Sequence, residues 1–174
     1  MTIIIETGQG LETSNSLIDA TELEEILTAS GEFSTLSSLT TEQLDQLLIR
    51  SMQNINDKYE SKIMGRITNE IQALLFPRKY CYYRNYLLSD DLIHTKWKLA
   101  QAKNCLYMYD IETNTPTDSN IKEEEVVVGK ITERFVYKDN KTAPVLVQNV
   151  NSILKPFCKS VSNSVVPTQY GHLS

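Results

Sequence analysis

Histidine is almost missing from this chain. The 174 residues contain two, His94 and His172, and neither has a second residue beside it at metal-ligand or catalytic spacing. Ser-His-Asp, Cys-His and metal-spaced clusters are not visible, so acid–base, nucleophilic and metal chemistry lack their parts. No catalytic, cofactor-binding or metal-ligating residue can be nominated, and the chain is expected not to be an enzyme. His94, one turn before Lys98, reads as an ordinary surface histidine. Glu22, Glu24 and Glu25 read as an exposed helix face.

Cysteine is scarce as well. Cys81, Cys105 and Cys158 are odd in number, far apart and set in apolar or helical contexts. They are expected to be reduced thiols packed as small hydrophobes. Long apolar runs are lacking. The opening Met1-Thr2-Ile3-Ile4-Ile5-Glu6 has no basic n-region and is too short for a signal peptide or a membrane span, which points to a product made in the cytosol. Cationic excess is lacking too. Lys and Arg number 17 against 22 Asp and Glu, for a net charge of -5 and a pI of about 5.1. An acidic total argues against nucleic-acid binding unless the charge is segregated. Gly8-Gln9-Gly10 has neither the later glycine nor the lysine of a phosphate loop, so a flexible turn is expected there.

What remains is the composition of one domain with arms or tails, at 41% hydrophobic and 22% charged residues. Thr2 to Ile5 reads as a short strand, and Leu11 to Leu17 as irregular. Asp19 with Glu22 has capping-box spacing ahead of a helix carrying Leu23, Ile26 and Leu27 and ending at Gly31. Phe33 to Thr40 is a Ser/Thr-rich link. Thr40 with Gln43 makes a second capping box, followed by Leu44, Leu47, Leu48, Met52, Ile55 and Tyr59 at helical spacing. Ile67, Ile71, Leu74 and Leu75 suit one or two helical turns that Pro77 stops. Ser89, with Asp90 and Asp91, caps a third helix bearing Leu92, Ile93, Trp97, Leu99, Ala100, Leu106, Tyr107 and Ile111. Trp97, the only tryptophan, is its core anchor. Glu112 to Asn120 is loop.

Lys122 to Tyr137 reads as a β-hairpin or a bent arm, with Gly129 as its turn or bulge. Thr142 precedes a last helix that has Pro144 in its first turn and Leu146, Val150, Ile153, Leu154 and Phe157 on its buried stripe. The expected fold class is mainly α. It is a small bundle of about four helices with a protruding β-hairpin or extended arm near 123–139. One domain covers 1–158, and 159–174 is an extended C-terminal docking tail. Its Val165, Val166 and Tyr170 suit binding to a partner in extended form.

Arg78-Lys79-Tyr80-Cys81-Tyr82-Tyr83-Arg84-Asn85-Tyr86 is the strongest local nucleic-acid signal, with cations interleaved among rings that can stack bases. In the alternative, the tyrosines cover a helical core and Arg78 fixes a loop or an interface. The acidic total favours this second reading, and Arg78, Tyr80, Tyr82 and Tyr83 become interface candidates beside Val165, Val166 and Tyr170.

Gly65-Arg66, Gln72-Ala73-Leu74 and Phe76-Pro77-Arg78 fall in an ordered pattern. Ile3-Ile4-Ile5-Glu6-Thr7-Gly8 and Ser14-Asn15-Ser16 precede it, and helices over Ala20 to Gly31 and Ile49 to Tyr59 lead up to it. With Ala100 and Ala102 in the third helix, this resembles the head-to-tail connector, or adaptor, proteins of tailed phages over residues 1–110. Some relatives in that family carry the label "putative DnaT-like single-stranded-DNA-binding protein". Phe76 stands where relatives often have Trp, a proline ahead of the third helix is replaced by Leu88-Ser89-Asp90, and Tyr80–Tyr86 is additional. The resemblance implies a structural virion protein at the neck, assembled in the host cytoplasm. It implies a ring of copies, commonly twelve-fold, under the portal, with tail or nozzle proteins below. Genomic DNA would pass through the lumen without specific binding, and no membrane would be involved. The alternative label implies a single-stranded-DNA-binding replication accessory.

Overall fold

The computed structural model describes residues 2–114, 125–128, 131–134 and 145–159. Helix α1 spans Ala20–Ala29. Asp19 Oδ1 accepts the Glu22 N–H at 2.8 Å, as the spacing predicts. The reciprocal half of the capping box does not form. Glu22 turns its carboxylate to the Lys98 ammonium, 2.8 Å away, because a charged donor outbids a backbone N–H. The helix ends at Gly31, whose φ is +73°. The N–H groups of Gly31 and Glu32 return to the carbonyls of Thr28 and Leu27, a closure that needs a left-handed residue there.

Helix α2, Thr41–Tyr59, has the full capping box of Thr40 and Gln43. Leu44, Leu47, Leu48, Met52, Ile55 and Tyr59 are all buried. Each such side chain stabilises the fold by about 1.5–3 kcal/mol before entropy is counted.

Helix α3 spans Thr95–Asn114, starting later and ending later than the sequence suggests. Ser89 does not cap it, since its hydroxyl pairs with Asp91. The cap is His94, whose Nδ1 accepts the Lys96 N–H at 3.0 Å and whose carbonyl accepts the Trp97 N–H at 2.8 Å. Leu92 and Ile93 therefore precede the helix, Glu112 belongs to it, and Ile111 is exposed. Trp97 is buried as expected.

Helices α2 and α3 meet over a buried polar seam. Gln101, fully buried, accepts the Leu17 N–H at 2.9 Å and donates to Ser16 Oγ at 2.7 Å and to the Leu48 carbonyl at 3.1 Å. Ser51 donates to the Gln101 carbonyl at 2.9 Å, and Asn104 donates to the Ser51 carbonyl at 3.0 Å. A buried amide so completely paired fixes the register of the two helices, because sliding them would strand several polar groups at once.

The N-terminal segment makes one parallel bridge, Ile5 to Ser16, rather than a strand. The turn Gly8-Gln9-Gly10 is wound around a carboxylate. Glu6, 2% exposed, accepts the N–H groups of Gly8 and Gly10 at 2.9 Å and of Leu11 at 2.8 Å, and the Ser14 hydroxyl at 3.0 Å. The chain's own anion fills this nest of N–H groups, so the turn is held in place, and held by no phosphate.

Residues 60–94 cross from the end of α2 to the start of α3 without the helical turns expected near Ile67–Leu75. Strand β1, Arg66–Ile67, pairs antiparallel with β2, Arg78–Lys79. Strand β3, Tyr82–Tyr83, pairs with β4, Tyr86–Leu87. Side-chain partners replace helical hydrogen bonds. Gln72 accepts the N–H groups of Thr68 and Asn69 at 2.8 and 3.1 Å and donates to the carbonyls of Leu74 and Pro77 at 2.7 and 3.0 Å. Asn56 of α2 accepts the Leu75 N–H at 3.0 Å. Leu74 and Leu75 are buried, but Ile71 is 58% exposed and does not seal the core.

Strands β5, Glu125–Val128, and β6, Ile131–Arg134, form the expected hairpin, with Val128 opposite Ile131. Gly129 lies outside the described residues, as do Thr142, Pro144 and 160–174. Helix α4, Val145–Leu154, and a 3-10 turn, Lys155–Phe157, close the core with Val150, Leu154 and Phe157. The turn lies along the segment after α2. Met64 N–H donates to the Phe157 carbonyl, and Lys159 N–H to that of Lys62, both at 2.8 Å. The architecture is thus mainly α, four helices with short hairpins among the described residues.

Candidate nucleic-acid interface

The crossover rests on an aromatic cluster. Phe76 stacks on Trp97 with centroids 4.1 Å apart, and Tyr83 stacks on Phe157 at 5.0 Å. His94 sits between Tyr83 at 4.7 Å and Phe157 at 5.1 Å. It is half-buried rather than on the surface, and desolvation, followed by the nearby Lys96 charge, holds its pKa below the usual 6.5. Trp97 Nε1 is buried without a hydrogen-bond partner among the described residues.

Strand pairing decides which tyrosines face water. Tyr82 sits opposite Leu87 and Tyr83 opposite Tyr86. Tyr83 packs inward, while Tyr80, Tyr82 and Tyr86 are 59%, 44% and 78% exposed. Arg84 and Asn85, both with positive φ, form the two-residue turn of this hairpin, the geometry that matches strand twist. The Arg84 guanidinium lies 5.3 Å from the Tyr83 ring centre, and that of Arg66 lies 5.2 Å from the Tyr80 ring centre.

Arg78 does not face outward with them. It is 5% exposed, and its Nε and Nη2 donate at 2.9 Å to the carbonyls of Met64 and Gly65. Gly65 has φ +75°, and a Cβ there would come 2.1 Å from the Lys79 carbonyl oxygen, so only glycine lets the two strands meet. Gly65, Gln72 and Arg78 each hold the backbone of the crossover, so the residues that carry the sequence pattern mark a fold element. Val165, Val166 and Tyr170 lie outside the described residues.

Cations gather on this side. Arg66 and Arg84 are exposed and Lys62 and Lys79 half-buried, Lys159 is bonded to the Lys62 and Ser61 carbonyls, and the acids Glu60, Glu70, Asp90 and Asp91 are exposed on the same crossover. An open groove is lined by Arg66, Ile67, Thr68, Glu70 and Lys79. Residues 1–49 contain no lysine, arginine or histidine at all. The net charge averages unlike regions, an acidic one before Arg50 and a basic stretch over 62–84, where five Lys and Arg stand against the single acid Glu70, flanked by Glu60, Asp90 and Asp91.

Other chemistry is thinly furnished. Among the described residues no group of three His, Cys, Asp or Glu could hold a metal. The three cysteines are free, and burial raises the pKa of each thiol, Cys105 to about 12, which makes them inert packing groups. No helix among the described residues is long and apolar enough to cross a membrane.

A family model described as "Putative DnaT-like ssDNA binding protein" matches residues 1–169. No curated protein and no solved structure matches the chain. The chain belongs to the family so described. The description agrees with the label that some relatives carry in the resemblance and does not mention connectors.

Proposed function

We propose that this family member binds single-stranded DNA, without sequence preference, through its basic crossover face, as a non-enzymatic replication accessory. One observation carries the reading. Exposed Tyr80, Tyr82 and Tyr86 stand among Arg66, Lys79 and Arg84 in a chain whose acidic excess lies before Arg50. Rings of this kind stack on any base, and the cations neutralise the phosphates between them. Half-buried Lys62, with Lys159 bonded to its carbonyl, adds cations next to this face. The family description supports the same reading. The test is a titration with an oligothymidylate at two salt concentrations, for wild type and for an Arg66→Glu/Arg84→Glu variant. Affinity should fall steeply with salt, and the variant should bind more weakly with a shallower salt slope. No binding by wild type at low salt would end this reading.

A second reading is the head-to-tail connector: a ring under a phage portal, with tail proteins below and DNA passing through. Exposed aliphatic side chains on the same crossover favour it, since Ile67, Ile71 and Leu87 suit a protein neighbour better than a nucleic acid. An acidic lumen would also let DNA slide. The location is then the virion neck, and no membrane takes part. Imaging the protein mixed with its portal distinguishes the two. A ring on the portal without salt-sensitive strand binding selects the connector.

A further inference from the structure

Strand register decides how the exposed rings of the β3–β4 hairpin can be used. Residues directly opposite in an antiparallel pair point to the same face, and successive residues to opposite faces. Tyr83 and Tyr86 form one such pair, and Tyr82 and Leu87 the next. Tyr83 lies against Phe157 and His94, so its face is the inner one. Tyr86 shares that face but is 78% exposed, so it overhangs the aromatic cluster instead of joining it. Tyr82 and Leu87, 44% and 57% exposed, stand on the outer face. The two accessible rings are therefore back to back, and one row of stacked bases cannot lie on both.

The hairpin has the shape of a blade. Arg84 and Asn85 form its edge, and the Arg84 guanidinium turns back to lie 5.3 Å from the Tyr83 ring centre. From Tyr80 to Leu88, Arg84 is the only charged residue. The acids of the crossover lie outside the hairpin. Asp90 and Asp91 follow it, with the Asp90 carbonyl bonded to Thr68 and the Asp91 carboxylate to Ser89. Glu70 lines the groove beside Arg66 and Lys79, and Glu60 ends α2. These carboxylates repel phosphates from the base of the hairpin and leave its edge as the place where a nucleic-acid backbone can cross.

We infer that the hairpin is a wedge that enters a single DNA strand between two bases, an inference that rests on the DNA reading above. One base lies on Tyr82, with Leu87 beside it, the other lies on Tyr86, and the backbone crosses the edge at Arg84. A strand pair with side chains on both faces is about 10 Å thick. Stacked bases are roughly 3.4 Å apart, so a base has to leave the stack to make room. The rings accept any base, and the strand is selected by how readily it unstacks. A thymidylate run yields easily and an adenylate run resists. A missing base at the crossing point removes that cost.

Fluorescence anisotropy of the full chain with three labelled strands of equal length tests the wedge. The strands are oligothymidylate, unbroken oligodeoxyadenylate, and oligodeoxyadenylate with one central abasic site. The abasic strand should bind about tenfold more tightly than the unbroken one, because its unstacking is done in advance. A one-sided stacking platform gives the opposite sign, since the abasic strand offers one base fewer. Tyr82→Ala and Tyr86→Ala, each checked for an unchanged thermal melt, should bind the two adenylate strands alike. Tyr82→Phe and Tyr86→Phe keep the rings and should keep the preference. Oligothymidylate binding with no gain for the abasic strand overturns the wedge and leaves the DNA reading standing. If no strand binds, both fall.

Discussion

The guanidinium of Arg78 is turned inward onto Gly65, with Nη2 2.9 Å from the Gly65 carbonyl oxygen. A residue that looks like an exposed cation in the sequence is a staple across the crossover. Burial lowers its pKa, but the group stays charged and donates to the backbone carbonyls of Met64, Leu75 and Gly65. Arg78→Ala should therefore destabilise the monomer by about 3 kcal/mol, the order expected when charged hydrogen bonds are lost and buried carbonyls are stranded. Urea denaturation measures it. A loss of self-association with an unchanged midpoint would restore Arg78 to an interface.

Glu6 should behave like an internal ligand. Glu6→Ala removes the acceptor for three N–H groups and one hydroxyl, and is expected to cost about 2–3 kcal/mol. Amide exchange at Gly8, Gly10 and Leu11 should accelerate more than exchange in α2. Uniform acceleration would mean that the loop and the core melt as one unit.

His94 predicts an acid-labile term in stability. Its folded pKa lies below the unfolded value, so the folded state prefers the neutral ring. The stabilisation is present above the unfolded pKa of about 6.5 and is lost as pH falls through the folded value. Protonating Nδ1 also removes the acceptor for the Lys96 N–H. Thermal melts should therefore drop from pH 7 to pH 5. His94→Asn keeps a cap acceptor without titrating, and its melts should be flatter over that window. Parallel curves for the two proteins would assign the drop elsewhere.

Neighbouring tyrosines should separate by role. Tyr82→Ala and Tyr86→Ala remove exposed rings and should leave the melt unchanged, while each weakens strand binding by about 1–3 kcal/mol if its ring stacks on a base. Tyr83→Ala opens the stack on Phe157 and should lower stability instead. Fluorescence titration alongside denaturation reads both quantities on the same samples.

Much of the helical frame was legible in the sequence because it depends on local rules. The Leu44–Tyr59 stripe and the Thr40/Gln43 box specify α2 without help from elsewhere. The start of α3 was not legible. Ser89-Asp90-Asp91 has the composition of a cap, but Thr68 donates to the Asp90 carbonyl at 2.7 Å and ties that stretch to the crossover. The cap passes to an imidazole, which is not among the usual capping side chains. The crossover departs from the helical turns that its apolar spacing suggests, because its hydrogen bonds run through Asn56, Gln72 and Arg78, partners that periodicity does not reveal. Of the interface candidates, Tyr80 and Tyr82 face water, whereas Tyr83 and Arg78 do not. Alternation in a strand pair two residues long leaves too short a pattern to read in advance. The basic stretch over 62–84 is visible in the sequence once charge is taken by segment.

Phe157 completes the aromatic cluster from the far end of the described chain, with its ring on Tyr83 and its carbonyl on Met64. The core is therefore not sealed until that residue has left the ribosome. A nascent or truncated chain lacking it presents Ile63, Trp97 and Tyr83 unroofed, the kind of apolar surface that chaperones hold and proteases find. Synthesis through Phe157 is thus a condition for closing this core.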